Sequence, residues 1–243
     1  MQTTWDTLAR RNAMHFIATD QAAWDRTHFL QAGAERLKHL FAQAGVPAEA
    51  CHGTVLDLGC GIGRLSFALA TLFDQVLAFD VSAEMIQQAQ LLKAELGNTT
   101  ITFHQNNGRD LADVPNAVCD FGFSYIVLQH IPTKQIVFGY LHELARVVKP
   151  GGYVLFQVLT YHEQPLAQLA RLLLPTFYRA LWVLEQARLL PPEQGAAFHG
   201  SRLRVSEVEA VLAACRLQPL TIRRQQSGHR FCDETVVLCR KLV

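Results

Sequence analysis

Val55-Leu56-Asp57-Leu58-Gly59-Cys60-Gly61-Ile62-Gly63-Arg64 is the stretch that decides the fold of this chain. A short apolar strand enters a tight glycine turn, and a helix leaves it. Glycine carries no Cβ, so the chain turns sharply there and a ligand can lie against bare backbone. A second apolar strand, Gln75 to Asp80, closes on an acid seventeen positions after Gly63. An acidic side chain at that strand end can accept hydrogen bonds from both hydroxyls of a ribose. Glycine turn and downstream acid together mark a nucleoside site.

The glycine spacing narrows the ligand. The dinucleotide fingerprint is G-x-G-x-x-G, whose third glycine lets the helix pack closely on the strand. Here that place is Arg64, and the glycines stand at 59, 61 and 63. With Asp57 inside the strand end, the pattern resembles motif I of the class I S-adenosylmethionine-dependent methyltransferases, in their small-molecule branch. Three further segments match that family in order. Val76-Leu77-Ala78-Phe79-Asp80-Val81-Ser82-Ala83-Glu84-Met85 resembles its second strand and the start of the next helix. Cys119-Asp120-Phe121-Gly122-Phe123-Ser124-Tyr125-Ile126-Val127-Leu128-Gln129-His130 resembles its fourth strand and active-site loop. Leu144 to Leu155, through Arg146 and Lys149-Pro150-Gly151-Gly152, resembles its turn into strand five, with Val148 where leucine is usual.

The resemblance covers about residues 54–159 and implies S-adenosylmethionine as cofactor. It places Asp57, Gly59, Cys60, Gly61 and Gly63 under the methionine end and the ribose, and Asp80 on the ribose hydroxyls. Val81 and Met85 are expected along the adenine. Asn107 is expected at the adenine amino group, with Gly108 beside it and Asn106 as the one-residue alternative. Tyr125 and Gln129 are expected on the cofactor side. The competing readings are a nicotinamide-dinucleotide-dependent oxidoreductase and a cofactor-binding regulatory protein with a dead acceptor site.

The chain has 243 residues, half of them hydrophobic. That suits one domain with a substantial core, spanning 1–243. Twenty-two basic and 21 acidic residues leave a net charge of +1, and no Lys/Arg block stands out. A nucleic-acid partner therefore has little electrostatic support. The six cysteines, at 51, 60, 119, 215, 232 and 239, form no C-x-x-C and no zinc spacing, which fits a reduced, cytoplasmic compartment. Met1 to Arg11 lacks an apolar signal core. No stretch reaches about 18 uninterrupted apolar residues, so no membrane span is expected. A monomer or a homodimer is open.

Residues 1–50 read as a helical N-terminal cap. From Thr54 strands alternate with helices: strands Thr54–Leu58, Gln75–Phe79, Thr100–Gln105, Phe121–Tyr125 and Gly152–Leu159, with helices Arg64–Phe73, Ala83–Leu96 and Lys134–Val147 between them. Such alternation implies a parallel sheet covered on both faces. Residues 164–200 break it with an apolar, helix-patterned insertion. A last helix, Ser206 to Cys215, precedes two final strands, about Gln218–Arg223 and Cys232–Arg240. The expected fold is α/β and Rossmann-like: a seven-stranded, mostly parallel sheet with an antiparallel last strand and helices on both faces.

The methyl group of the cofactor is already activated, so the enzyme mainly needs in-line positioning, which can supply roughly 7–11 kcal/mol. A phenol, amine or acid acceptor also needs its proton removed, and histidine suits that near neutral pH. His130, just past strand four, is the expected catalytic residue. His162 and Glu163, after strand five, are expected on the same rim. No Asp-Asn pair follows strand five, so no metal is expected. The insertion, with Leu172, Leu173, Phe177, Tyr178 and Trp182, is expected to cover the acceptor; core packing and a dimer face are its competing roles. The partner is then a small, largely apolar organic molecule methylated on oxygen or nitrogen, with secondary metabolism as the expected setting.

Overall fold

The structure, a computed structural model, describes residues 1–19, 23–161, 180, 183, 200–226 and 232–243. Its centre is a seven-stranded sheet of β1 (Thr54–Leu58), β2 (Gln75–Asp80), β3 (Ile101–Gln105), β4 (Cys119–Ser124), β5 (Val148–Tyr161), β6 (Leu217–Gln226) and β7 (Cys232–Lys241). The spatial order is 3-2-1-4-5-7-6. β1 pairs in parallel with both β2 and β4, and β7 runs antiparallel to both its neighbours, β5 and β6. This is the Rossmann-like methyltransferase arrangement expected from the sequence. β1 sits centrally because Val55, Leu56 and Leu58 are apolar on both faces and almost wholly buried.

The helices are α1 (Gln2–Ile17), α2 (Arg26–Ala44), α3 (Arg64–Leu69), α4 (Ala83–Glu95), α5 (Lys134–Val147) and α6 (Val205–Ala214). Side chains alternate across a strand, so β1 feeds two cores. Leu56 and Leu58 pack in a core with Leu141 and Leu144 of α5 and Val208 and Leu212 of α6. Val55 packs in a second core with Leu37 and Leu40 of α2 and Leu69 of α3. Asp57 shares the Val55 parity and faces α3. α3 is shorter than its apolar pattern suggested, ending at Leu69 rather than Phe73.

α2 is the longer helix of the N-terminal region. Asp25 caps it by accepting from the Thr27 and His28 N–H groups (2.9 and 3.1 Å), which satisfies donors that a helix start leaves unpaired. Gly45 ends it at φ 71°, with its N–H returned to Ala42 O. α1 is broken at Asn12 (φ −172°, ψ 88°). The Asn12 Oδ1 accepts from the His15 N–H at 3.2 Å and so caps the second half. Of the insertion expected at 164–200, Ala180, Val183 and Gly200 alone are described; His162, Glu163, Phe177 and Trp182 lie outside the described residues. No helix among the described residues is long and apolar enough to cross a membrane.

Helix α2 lies directly on α3 at a glycine. A Cβ on Gly33 would stand 2.6 Å from the Arg64 carbonyl oxygen. Gly33→Ala gains about 0.5–1 kcal/mol of helix propensity but loses roughly 1–3 kcal/mol to overpacking against backbone. The net expectation is a lower urea midpoint; a raised midpoint would show that α2 slides freely over α3.

Candidate active site

The site forms where β1, β2 and β4 end. The Gly59 and Cys60 N–H groups both donate to the Phe79 carbonyl (2.6 and 3.0 Å), which ties the end of β1 to the end of β2. Gly59 and Gly61 are left-handed, at φ 83° and 56°. A Cβ on Gly59 would run into Val127, and one on Gly61 would stand 2.6 Å from Ile17 Cδ1. Both positions therefore exclude a side chain by conformation and by space.

Two carboxylates open onto the cavity above this turn. Asp57 is buried, and its Oδ2 accepts from Ser66 Oγ at 2.6 Å. Burial pushes its pKa up to about 7; the Ser66 bond opposes the rise and the charge of Asp80 adds to it. Asp80 accepts from the Gly61 N–H at Oδ2 and the Ser82 N–H at Oδ1, both at 2.9 Å. Its pKa is also raised by burial, against those backbone donors. Arg64 lines the same cavity, with its guanidinium carbon 5.6 Å from the Phe29 ring and 6.0 Å from that of Trp24.

The opposite wall is the loop after β4, with Tyr125, Ile126, Val127, His130 and Ile131. Ile126 holds φ 58°, an outlying conformation for a β-branched residue. The His130 ring meets Trp5 of α1 edge-on, centroids 5.6 Å apart. Met1, Phe16 and Ile17 of α1 also line the cavity. α1 is docked by Asp6, whose Oδ1 accepts from Ser82 Oγ (2.7 Å) and the Glu84 N–H (3.2 Å) at the N-terminus of α4. An anionic side chain there complements the helix dipole.

Asp57, Gly59, Cys60, Gly61, Asp80, Val81, Met85, Tyr125 and His130 are thus brought to one cavity, and Gly63, Asn107, Gly108 and Gln129 do not line it. Asn107 is turned outward: its Oδ1 accepts from the Arg109 and Asp110 N–H groups (2.8 and 3.0 Å), and its Nδ2 donates to Asp110. Asn106 occupies the cavity wall instead, beside Tyr140. Gly63 starts α3, and a Cβ there would meet the Phe103 and Phe67 rings. Gly108 donates its N–H to Asn106 Oδ1 at 3.0 Å. Gln129 stands behind His130. Arg64, Tyr140 and the α1 side chains carry no sequence signal that separates them from ordinary core. No cluster of three or more potential metal ligands occurs among the described residues.

Residues 55–152 match the methyltransferase-domain family. The chain is 30% identical over 196 residues to a ubiquinone biosynthesis O-methyltransferase of Paracidovorax citrulli, covering 77% of this chain and 76% of that protein. It is 27% identical over 158 residues to the protein of the same name from Hydrogenovibrio crunogenus, and there the match spans only 59% of the relative's length. Among solved structures, magnesium protoporphyrin IX methyltransferase from Synechocystis superposes over 99% of this chain and 97% of its own, with a TM-score of 0.62 at 15% identity. The chain belongs to the class I S-adenosylmethionine-dependent methyltransferases. Its cofactor is S-adenosylmethionine, which displaces the dinucleotide reading.

The Asp57 carboxyl gives a pH signature. Its pKa rises from 3.8 in the unfolded chain to about 7 in the folded one, so the folded state holds the extra proton between those values. Its contribution to stability is full below the lower value, falls as pH rises through the window, and is gone above about pH 7. The melting temperature of the ligand-free protein should therefore fall between about pH 4 and about pH 7 more steeply than that of Asp57→Asn. Parallel profiles for the two proteins would show that Asp57 ionises normally.

Proposed function

We infer that this protein O-methylates a small, largely apolar, hydroxylated acceptor, and that His130 receives the acceptor proton. The observation that carries this reading is a cavity of mixed lining. Asp57, Asp80, Asn106 and Arg64 share it with Trp5, Phe16, Ile17, Val127 and Ile131, and His130 is the one imidazole among the described lining residues. The O-methyltransferase name of the relatives favours oxygen over nitrogen as the accepting atom, and ubiquinone-type acceptors over a secondary metabolite.

The residues fit the cofactor. Asp80 stands at the strand end, where a carboxylate meets ribose hydroxyls. Asn106 would meet the adenine, with Val81, Met85 and Tyr140 lining the same cavity. The bare backbone of Gly59 and Gly61 leaves room for the chain between ribose and sulfur. Arg64 supplies a cation for the methionine carboxylate, and Asp57 an anion for its ammonium group. S-adenosylmethionine, when bound, supplies a methyl group on a sulfonium. The apolar wall orients the acceptor and keeps water out, and His130 takes the hydroxyl proton as the oxygen becomes nucleophilic.

The segment 164–200 is the acceptor cover in this reading. Its two ends are tied together at the rim: the Tyr161 N–H donates to Leu203 O (3.0 Å), and the Ser201 N–H donates to Ile131 O (2.7 Å), next to His130. The single domain is then a sheet with one cover from residues 1–50 and another inserted after β5.

Methyl-labelled cofactor offered with an alkyl catechol, an alkyl aniline and an alkyl benzoate tests the chemistry. Label on the phenolic oxygen is expected; label confined to the amine or the carboxylate would overturn the reading. His130→Ala should cut kcat by roughly 10²–10⁴-fold and remove the fall in rate at acid pH, where an imidazole protonates. Asp80→Ala removes charge-assisted hydrogen bonds of roughly 1.5–3 kcal/mol and should weaken cofactor binding in calorimetry by at least about tenfold. Unchanged affinity would move the ribose elsewhere.

A further inference from the structure

Gln157 is a polar side chain in the middle of β5, fully buried, with Phe156 and Val158 on either side. An amide there costs free energy unless each of its groups is paired. Its partners lie on the loop after β4. Oε1 accepts from the Ile126 N–H at 3.2 Å. Nε2 donates to Gln129 Oε1 at 2.8 Å. Gln129 Nε2 in turn stands 3.2 Å from His130 Nε2.

The polarity of this chain is set at its first link. A backbone N–H can only donate, so the Gln157 oxygen must face Ile126 and its amino group must face Gln129. The Gln129 oxygen is then committed to Gln157, and its amino group faces His130. His130 Nε2 must therefore be the acceptor, which places the ring proton on Nδ1 in the neutral imidazole. Reversing any one amide would set donor against donor or acceptor against acceptor at a neighbouring link.

We propose that Gln157, acting through Gln129, is the positioning device of the active-site loop: it holds Ile126 in its left-handed conformation and fixes His130 as the Nδ1–H tautomer with its basic lone pair at Nε2. The Gln129 N–H occupies that lone pair in the ligand-free enzyme. Gln129 does not line the cavity, so the acceptor hydroxyl reaches the Nε2 lone pair only when the ring turns from Gln129 toward it. Gln157 touches no reacting atom; Gln129 acts as a positioning residue through its contact with His130 Nε2. Ile126 in that conformation is strained, and the bond to Gln157 helps to offset the strain. The charged and titratable groups sharing the cavity with His130 are Asp57, Cys60, Arg64, Asp80, Tyr125, Tyr140 and the amino group of Met1; the hydrogen bonds of Gln157 go to Ile126, Gln129 and the Val158 carbonyl and to none of these.

The kinetic part of this inference rests on His130 as the acceptor-proton base, while the tautomer does not. The protein labelled with ¹⁵N-histidine and the same sample carrying His130→Ala identify the His130 imidazole resonances. Long-range proton–nitrogen spectra then read which ring nitrogen carries the proton. In the wild type at neutral or mildly alkaline pH, His130 should show the Nδ1–H pattern. Gln157→Glu keeps an acceptor for Ile126 but replaces the donor to Gln129 with a second acceptor. Gln129 must then flip, and its carbonyl oxygen meets His130. The ring should move to the Nε2–H form, and the acid limb of kcat with an alkyl catechol should move to higher pH. Gln157→Leu should lower kcat by about 10²-fold, the scale of a small misplacement of a reacting group, with the cofactor dissociation constant nearly unchanged.

Nε2–H in the wild type, or the same tautomer in wild type and Gln157→Glu, would overturn the proposal whatever the kinetics. A wild-type Nδ1–H tautomer together with unaltered kcat in His130→Ala would sustain the relay and remove His130 as the base. Should Gln157→Glu fail to fold, the wild-type spectrum still decides.

Discussion

The contact between the Gly59 backbone and the Val127 side chain is the constraint on which the site depends. The cofactor turn and the loop after β4 are separate in sequence, and they meet where a Cβ would collide with Val127. Val127 can lie flat on the turn because Ile126 accepts a left-handed conformation immediately before it. From there the loop closes into a short 3₁₀ turn, Leu128–His130, with the His130 N–H donated to Val127 O at 2.9 Å. Group transfer depends on separations held within a fraction of an ångström, and a direct contact between two loops that line one cavity keeps their separation constant.

The electrostatics follow from the same crowding. Asp57 and Asp80 open onto one cavity, and burial together with the charge of Asp80 makes ionisation of Asp57 less favourable. A cation placed beside a carboxylate favours its charged form, so any cation entering this cavity would draw the raised pKa values back down. The thiols follow the bland rule. Cys119 and Cys239 are pushed up to about 12 by burial and behave as small apolar residues.

The sheet was legible because parallel strands buried on both faces leave near-continuous apolar runs, and β1 and β2 run out into residues that break such a run, Gly59 and Asp80. Asn107 shows the limit. Just past a strand, one step reverses the face on which a side chain emerges. Asn106 stays tied to β2, with its N–H on Asp80 O at 2.9 Å, while Asn107 folds into its own turn. Composition does not separate two adjacent asparagines. Arg64 was read only as an obstacle to close packing; the close approach is made instead by Gly33, a helix away in sequence. The α1 side chains were legible as apolar but not as cavity wall, because an amphipathic face carries no record of what it covers. The segment from 164, expected over the acceptor, falls largely outside the described residues.

The cavity is lined by two kinds of structure. One part is built from strand ends, where any change disturbs pairings that run through the whole sheet. Another part comes from α1, which is fastened by Asp6 at the start of α4. Trp5, Phe16 and Ile17 project from a helix that carries no strand, and substitutions there leave the register of every ladder untouched. The lining that α1 supplies is therefore free to change over evolutionary time while the lining at the strand ends stays fixed.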